Sequence, residues 1–125
     1  MRLLLDTHVL LWWLADDPAL SKQARTLIAN EPEVFASAAS AWEIAVKRAL
    51  GKLEAPDDLL AALDAGAIRR LPIDFEHAAV AGALPRHHDD PFDRMLVAQA
   101  QREGLTLLTS DVRISRYAVP VLSAS

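Results

Sequence analysis

Cysteine is absent from the 125 residues. Its absence excludes zinc ribbons, cysteine nucleophiles and disulfide scaffolds, and it suits a reducing compartment. Long apolar runs are also missing. The longest, Val9 to Ala15, falls far short of the roughly 20 residues that a bilayer span demands. The opening MRLLLD has the Arg and the leucines of a signal peptide, but Asp6, His8 and the Asp16–Asp17 pair interrupt it before a secretory core forms. A soluble, cytoplasmic protein is the expectation. Excess positive charge is the third absence: 13 Lys+Arg stand against 17 Asp+Glu, for a net charge of −4. A chain of that sign does not coat nucleic acid by bulk electrostatics. Any polyanion must be met by a local basic face or a bound cation.

Hydrophobic residues make up 52% of the chain and charged residues 24%, a balance that excludes a disordered polypeptide. The length fits a single domain over residues 1–125, able to bury about two-thirds of its unfolded surface. No repeat, low-complexity tract or Gly/Ser linker divides it. Short apolar runs alternate with longer helical ones. Strands are expected at 2–5, 34–36, 68–71, 105–109 and near 119–122. Helices are expected at 7–14, 19–30, 40–50 (stopped by Gly51 as a left-handed cap), 56–66, 74–82 and from Pro91 to Gly104. A short helical piece follows the turn at Ser110–Asp111. Such alternation implies a parallel sheet covered on both faces, which binds ligands beyond the carboxyl ends of its strands, near the point where strand order reverses.

Four acids occupy such positions: Asp6 after RLLL, Glu43 in the helix after the second strand, Asp93 in the first turn of the helix at Pro91, and Asp111 after TLLT. Each has an ordinary structural reading. Asp6 can cap the helix it precedes. Ser40 and Glu43 fit a capping box. Asp93 favours the helix dipole behind an Asp90 cap and Pro91. Thr109-Ser110-Asp111 can be a polar turn. Capping, however, does not require the four to meet. If they meet, like charges in a partly buried site need a neutraliser, and a hard divalent cation, Mg²⁺ or Mn²⁺, suits oxygen donors. Such a site supports attack of a metal-activated water on a phosphodiester. Asp6 and Asp93 are the first candidate ligands. Asp111 would bind metal or orient a water, and Glu43 would bind a second metal or position the attacking water.

The stretches LLLDTHVLLWWL, SAWEIAVKRALGKL and HDDPFDRMLVAQAQREGLTLLTSD resemble, in order, the acidic motifs of PIN-domain ribonucleases, and more narrowly of VapC toxins of prokaryotic toxin–antitoxin pairs. The resemblance implies a three-layer α/β/α fold with a mostly parallel sheet of about five strands. It implies Mg²⁺- or Mn²⁺-dependent cleavage of RNA, often tRNA or rRNA, by a homodimer that a VapB-type antitoxin inhibits. The family's four acids match Asp6, Glu43, Asp93 and Asp111. Thr7 and Thr109 match hydroxyl positions that often bond the carboxylates. Asp93 is preferred to Asp90, which already fits the cap before Pro91.

Other residues carry weaker signals. Lys47, four after Glu43, shares its helix face as a surface ion pair, or it joins Arg48 and Lys52 in contacting RNA phosphates. Arg86, His87 and His88 can add to that basic rim, but a solvated loop is the preferred reading; a zinc site is disfavoured because no second ligand pair stands at the right spacing. His8 reads as a packed or exposed helix residue. Trp12 and Trp13 cannot share one helix face, so they belong either to a wide core or to a core and a partner surface. The competing readings are a phosphoacceptor receiver domain, which wants paired acids after the first strand and a Lys after the last, and a PIN-like module with a decayed site. A haloacid-dehalogenase phosphatase needs a DxDxT motif, which DTHVL does not supply.

Overall fold

A computed structural model describes all residues, 1–125. Five parallel strands form one sheet in the order β3-β2-β1-β4-β5, with β1 at Arg2–Leu5, β2 at Glu33–Ser37, β3 at Arg69–Leu71, β4 at Thr106–Thr109 and β5 at Val121–Ser123. The helices are α1 (Thr7–Ala15), α2 (Lys22–Asn30), α3 (Ala38–Ala49), α4 (Leu59–Ala65), α5 (Phe75–Ala83) and α6 (Pro91–Glu103), and a 3₁₀ turn spans Ile114–Arg116. None is long and apolar enough to cross a membrane.

The alternation of side chains along a strand builds the three layers. Leu3 and Leu5 of β1 join Val34, Ala36 and Leu108 in one core with Val9, Leu10, Ala24, Ile28 and Leu63. Leu4 points the other way, into a second core with Leu107, Leu96, Val97, Ala100, Ile114 and Tyr117. Helices α1, α2 and α4 therefore cover one face, and α6 covers the other. Trp12 and Trp13 both pack against the first core and are both half-buried, so each also keeps an exposed edge.

Strand order moves outward from β1 in both directions, so the reversal lies between β1 and β4, which pair in parallel with Leu5 opposite Leu108. The crevice beyond their carboxyl ends is where Asp6 and the 109–111 turn emerge.

Several boundaries differ from expectation, each for a local reason. Helix α3 begins at Ala38, because Ser37, the last residue of β2, caps it by accepting the Ala39 N–H at 2.9 Å. The expected Ser40–Glu43 capping box is therefore not formed. Ser40 lies inside the helix and is fully buried. Helix α4 starts at Leu59 behind Asp58, which accepts the Ala61 N–H at 3.1 Å, rather than at Pro56. Helix α2 starts behind a Ser21 cap. Helix α5 runs through Gly82 and stops before Pro85, which disfavours helical backbone at Leu84. The expected left-handed cap at Gly51 is present (φ +70°), with N–H groups of Gly51 and Lys52 donating to the Arg48 (3.0 Å) and Lys47 (2.8 Å) carbonyls in a Schellman pattern.

Leu4 is fully buried in the middle strand of the sheet. Leu4→Ala is expected to lower stability by about 2–5 kcal/mol, read as a lower urea midpoint with an unchanged slope. Leu60→Ala on the exposed side of α4 should change stability by no more than about 0.5 kcal/mol.

Candidate active site

Asp6 leaves β1 and at once caps α1. Its Oδ1 accepts the Val9 N–H at 2.8 Å, and its Oδ2 accepts the Thr109 hydroxyl. It is almost fully buried, and burial is the main reason its carboxyl titrates above the ordinary range, opposed by the Thr109 and Val9 hydrogen bonds. The cap alone would not require burial, since exposed acids cap well.

Thr109 ends β4 and joins the two strand ends. Its Oγ1 donates to Asp6 and accepts the Asp111 N–H at 3.0 Å. Thr7, by contrast, turns its hydroxyl away from the carboxylates and donates to Ser40 Oγ at 2.9 Å, which ties α1 to α3.

Glu43 projects from the second turn of α3 and is only 3% exposed. Its Oε2 is paired with Lys47, one turn on. Its Oε1 is buried with no hydrogen-bond partner. The expected surface pair is thus anchored on a buried acid, and the Glu43 bond is the leading reason that the Lys47 ammonium holds its proton more tightly. Arg48 does not join the cluster. Its guanidinium pairs with Asp57 and donates to the Pro56 carbonyl at 3.3 Å, because the 56–58 segment folds back beside it.

Asp93 sits in the first turn of α6 and donates its N–H to the Asp90 carboxylate (3.2 Å), which also caps Phe92 (2.8 Å). Burial first, then the negative charge of Asp90, and further those of Asp6 and Glu43, push its pKa up to about 7. Asp111 is the opposite case. Arg113 grips it through Nε (3.1 Å), Nη2 (3.0 Å) and its backbone N–H (2.9 Å), and these bonds lead the causes that hold it down at about 2.

The structure thus brings Asp6, Glu43, Asp93 and Asp111 to the mouth between β1 and β4, where the charges of Asp6 and Glu43 both reach Asp93. It adds two residues that the sequence reading missed. Arg113 is one. His88 is the other: the 86–88 stretch is not a solvated loop at this position, for His88 is buried with Nε2 at 2.9 Å from Asp111 Oδ2 and 3.1 Å from Asp93 Oδ2. His87 instead lies edge-on to Tyr117, with ring centroids 5.0 Å apart. The signals for His88 in the sequence are the His87–His88 pair beside Asp89 and Asp90, discounted above as a zinc site, and its place two residues before the Asp90 cap. His8 stays on the exposed side of α1, with its ring 6.4 Å from that of Trp12.

An ordinary aspartate titrates near 3.8, whereas Asp93 titrates near 7. Between those values the folded protein holds a proton that the unfolded chain has lost, so this residue makes stability fall as pH rises from about 4 to about 7. Asp93→Asn carries no ionisable proton there. Without divalent cations, the variant should melt higher than the parent at pH 8, on the order of 5 °C, and close to it at pH 4, as measured by calorimetry in EDTA.

Residues 3–120 match the PIN domain family. Ribonuclease VapC22 of Mycobacterium tuberculosis is 33% identical over 120 residues, covering 94% of this chain and 92% of that protein. Two solved structures share the fold. The DNA-bound VapBC of Salmonella typhimurium has a TM-score of 0.74 at 18% identity, covering 100% of this chain and 99% of that one. VapBC2 of Rickettsia felis, bound to a DNA fragment from its promoter, has a TM-score of 0.70 at 16% identity, covering both chains in full. With the family match running nearly end to end, the chain belongs to the PIN domain family, as a protein of the VapC type.

Proposed function

We propose that this single-domain protein is the toxin of a toxin–antitoxin pair and acts as a metal-dependent endoribonuclease. The observation that carries the reading is the buried, unpartnered Glu43 Oε1 at a mouth lined by Asp6, Asp93 and Asp111. A buried carboxylate oxygen without a partner is costly unless something fills its place. Four acids in one partly buried site have the same need. An all-oxygen donor set of this kind fits Mg²⁺ or Mn²⁺.

Asp6 and Asp93 would be the principal ligands, and Glu43 would contribute Oε1. When bound, the cation lowers the pKa of a water and offsets the charge that develops on the phosphate. The chain's own groups do the rest. Thr109 and the α1 backbone hold Asp6 in one orientation. Lys47 fixes Glu43 and leaves Oε1 free to receive the ion or to orient the attacking water. Asp111, gripped by Arg113, stays ionised throughout the physiological range. Arg113 is well exposed at the rim and, with Lys47, supplies the local positive charge for an RNA phosphate that the net charge of −4 does not. Thr7 and Arg48 are left with structural duties in α1–α3 and the 56–58 segment.

The likeness to Ribonuclease VapC22 supports RNA as the substrate, and the VapBC neighbours support a VapB-type antitoxin as the partner. Cleavage at a tRNA or rRNA site, a homodimeric toxin and a cytoplasmic setting belong to the same proposal.

Purified protein freed of antitoxin should cut structured RNA with Mg²⁺ or Mn²⁺ and not with EDTA. Asp6→Asn and Glu43→Gln should each lower the rate by about 100-fold or more while melting cooperatively. Undiminished cleavage by folded Asp6→Asn would remove the mechanism. Because ligands must shed protons before binding, Mn²⁺ affinity should rise as pH rises through about 7, and that slope should flatten in Asp93→Asn, as measured by titration calorimetry.

A further inference from the structure

The loop that carries His88 is bolted down on both sides. The Tyr117 hydroxyl accepts the His88 backbone N–H at 3.0 Å and donates to the Pro85 carbonyl at 2.8 Å. The Arg94 guanidinium donates to the carbonyls of Ala81 (2.8 Å), Leu84 (3.0 Å) and Pro85 (3.0 Å). The imidazole so placed has a definite polarity. Its Nδ1 accepts the backbone N–H of Asp90 at 3.1 Å. A ring nitrogen that accepts an N–H carries no hydrogen, so the ring hydrogen sits on Nε2, the atom facing Asp93 and Asp111.

By distance alone, His88, Asp93 and Asp111 could pass for a ligand triad, since their donor atoms lie within 4.8 Å of one another. The polarity opposes that. A histidine that ligates a metal turns a bare nitrogen to the ion and donates its other N–H outward. Here the outward nitrogen is bare and the inward one carries the hydrogen. Ligation through Nε2 would move the hydrogen to Nδ1, where it would meet the Asp90 N–H head-on. Asp90 cannot yield easily, because its carboxylate caps α6. His77 has the same polarity, with Nδ1 accepting the Asp74 N–H at 3.1 Å and Nε2 at 3.3 Å from Glu103. The Asp74–His77–Glu103 group is therefore a helix cap rather than a second metal site. What distinguishes His88 is that its Nε2 spans two carboxylates from different elements.

We propose that His88 is a positioning residue of the nuclease site. Its Nε2–H bridges Asp93, at the start of α6, and Asp111, in the turn after β4, and fixes their spacing for the cation without ligating it. The proposal rests on the nuclease reading above. It keeps the donor set all oxygen, which favours Mg²⁺ and Mn²⁺ over the metals that imidazole suits. It also places one hydrogen between two acids that would otherwise repel.

Long-range ¹H–¹⁵N spectra of the histidine-labelled full chain read the tautomer directly. The expected result is an Nε2–H signal that His88→Gln removes, unchanged on saturation with Mg²⁺. An Nδ1–H tautomer in the metal-free protein, or loss of the Nε2 hydrogen on adding Mg²⁺, would overturn the proposal. The second measurement is Mn²⁺ affinity by electron paramagnetic resonance. His88→Ala should bind about 10-fold more weakly or worse and lose kcat while keeping KM for RNA. His88→Gln, which restores an N–H donor at this position, should recover most of both. Equal impairment of the two variants, or an unaltered His88→Ala, counts against the bridge. If the parent cleaves RNA but shows the wrong tautomer, only the role of His88 falls. If the parent neither binds Mn²⁺ nor cleaves, the nuclease reading falls and takes the positioning role with it.

Discussion

Like charges repel most strongly where water is scarce, and this protein assembles four carboxylates in a partly buried mouth. Much of the surrounding structure answers that repulsion. Lys47 meets Glu43, Arg113 meets Asp111, the α1 backbone and Thr109 meet Asp6, and His88 spans Asp93 and Asp111. Asp93 has the weakest compensation, and it is the acid whose pKa climbs to about 7. The arrangement leaves negative charge least compensated at Asp93 and a carboxylate oxygen unpartnered at Glu43 Oε1, where a cation would be most strongly held.

The fold produces this convergence without long loops. Strands β1 and β4 end side by side at the reversal of strand order, so Asp6 and Asp111 are neighbours although far apart in sequence. Thr109 ties the two strand ends together by hydrogen-bonding both. Capping and site chemistry are here one structure: Asp6 caps α1, and the Asp90 cap of α6 supplies the N–H that sets the His88 ring. The two readings of the acids in the sequence, caps or site, therefore describe the same atoms for Asp6.

Most of the fold was legible because its signals are local. RLLL, TLLT and the helix stops at Gly51 and Gly104 depend on neighbours in sequence, and they appear where expected. The Ser40 cap was misplaced because the serine and alanine run from Ala36 to Ala41 offers two serines as nearly equal starts. The sheet chose Ser37 by running β2 straight into α3. The four acids were legible from their places after strands and from the family resemblance. Arg113, His88 and Tyr117 were not, because each acts through contacts set by tertiary packing. The Arg86-His87-His88 stretch gives no hint that one imidazole meets Tyr117 edge-on while the next turns inward.

The absence of any linker between β2 and α3 has a mechanical meaning. With Ser37 serving as strand end and helix cap together, the rotation of the helix is geared to the register of the strand. One residue inserted at that joint would swing the helix by about 100°, carry Glu43 off the mouth and present a neighbour in its stead. Substitutions along this helix leave that gearing in place, but the length of the joint is locked to the placement of the acid.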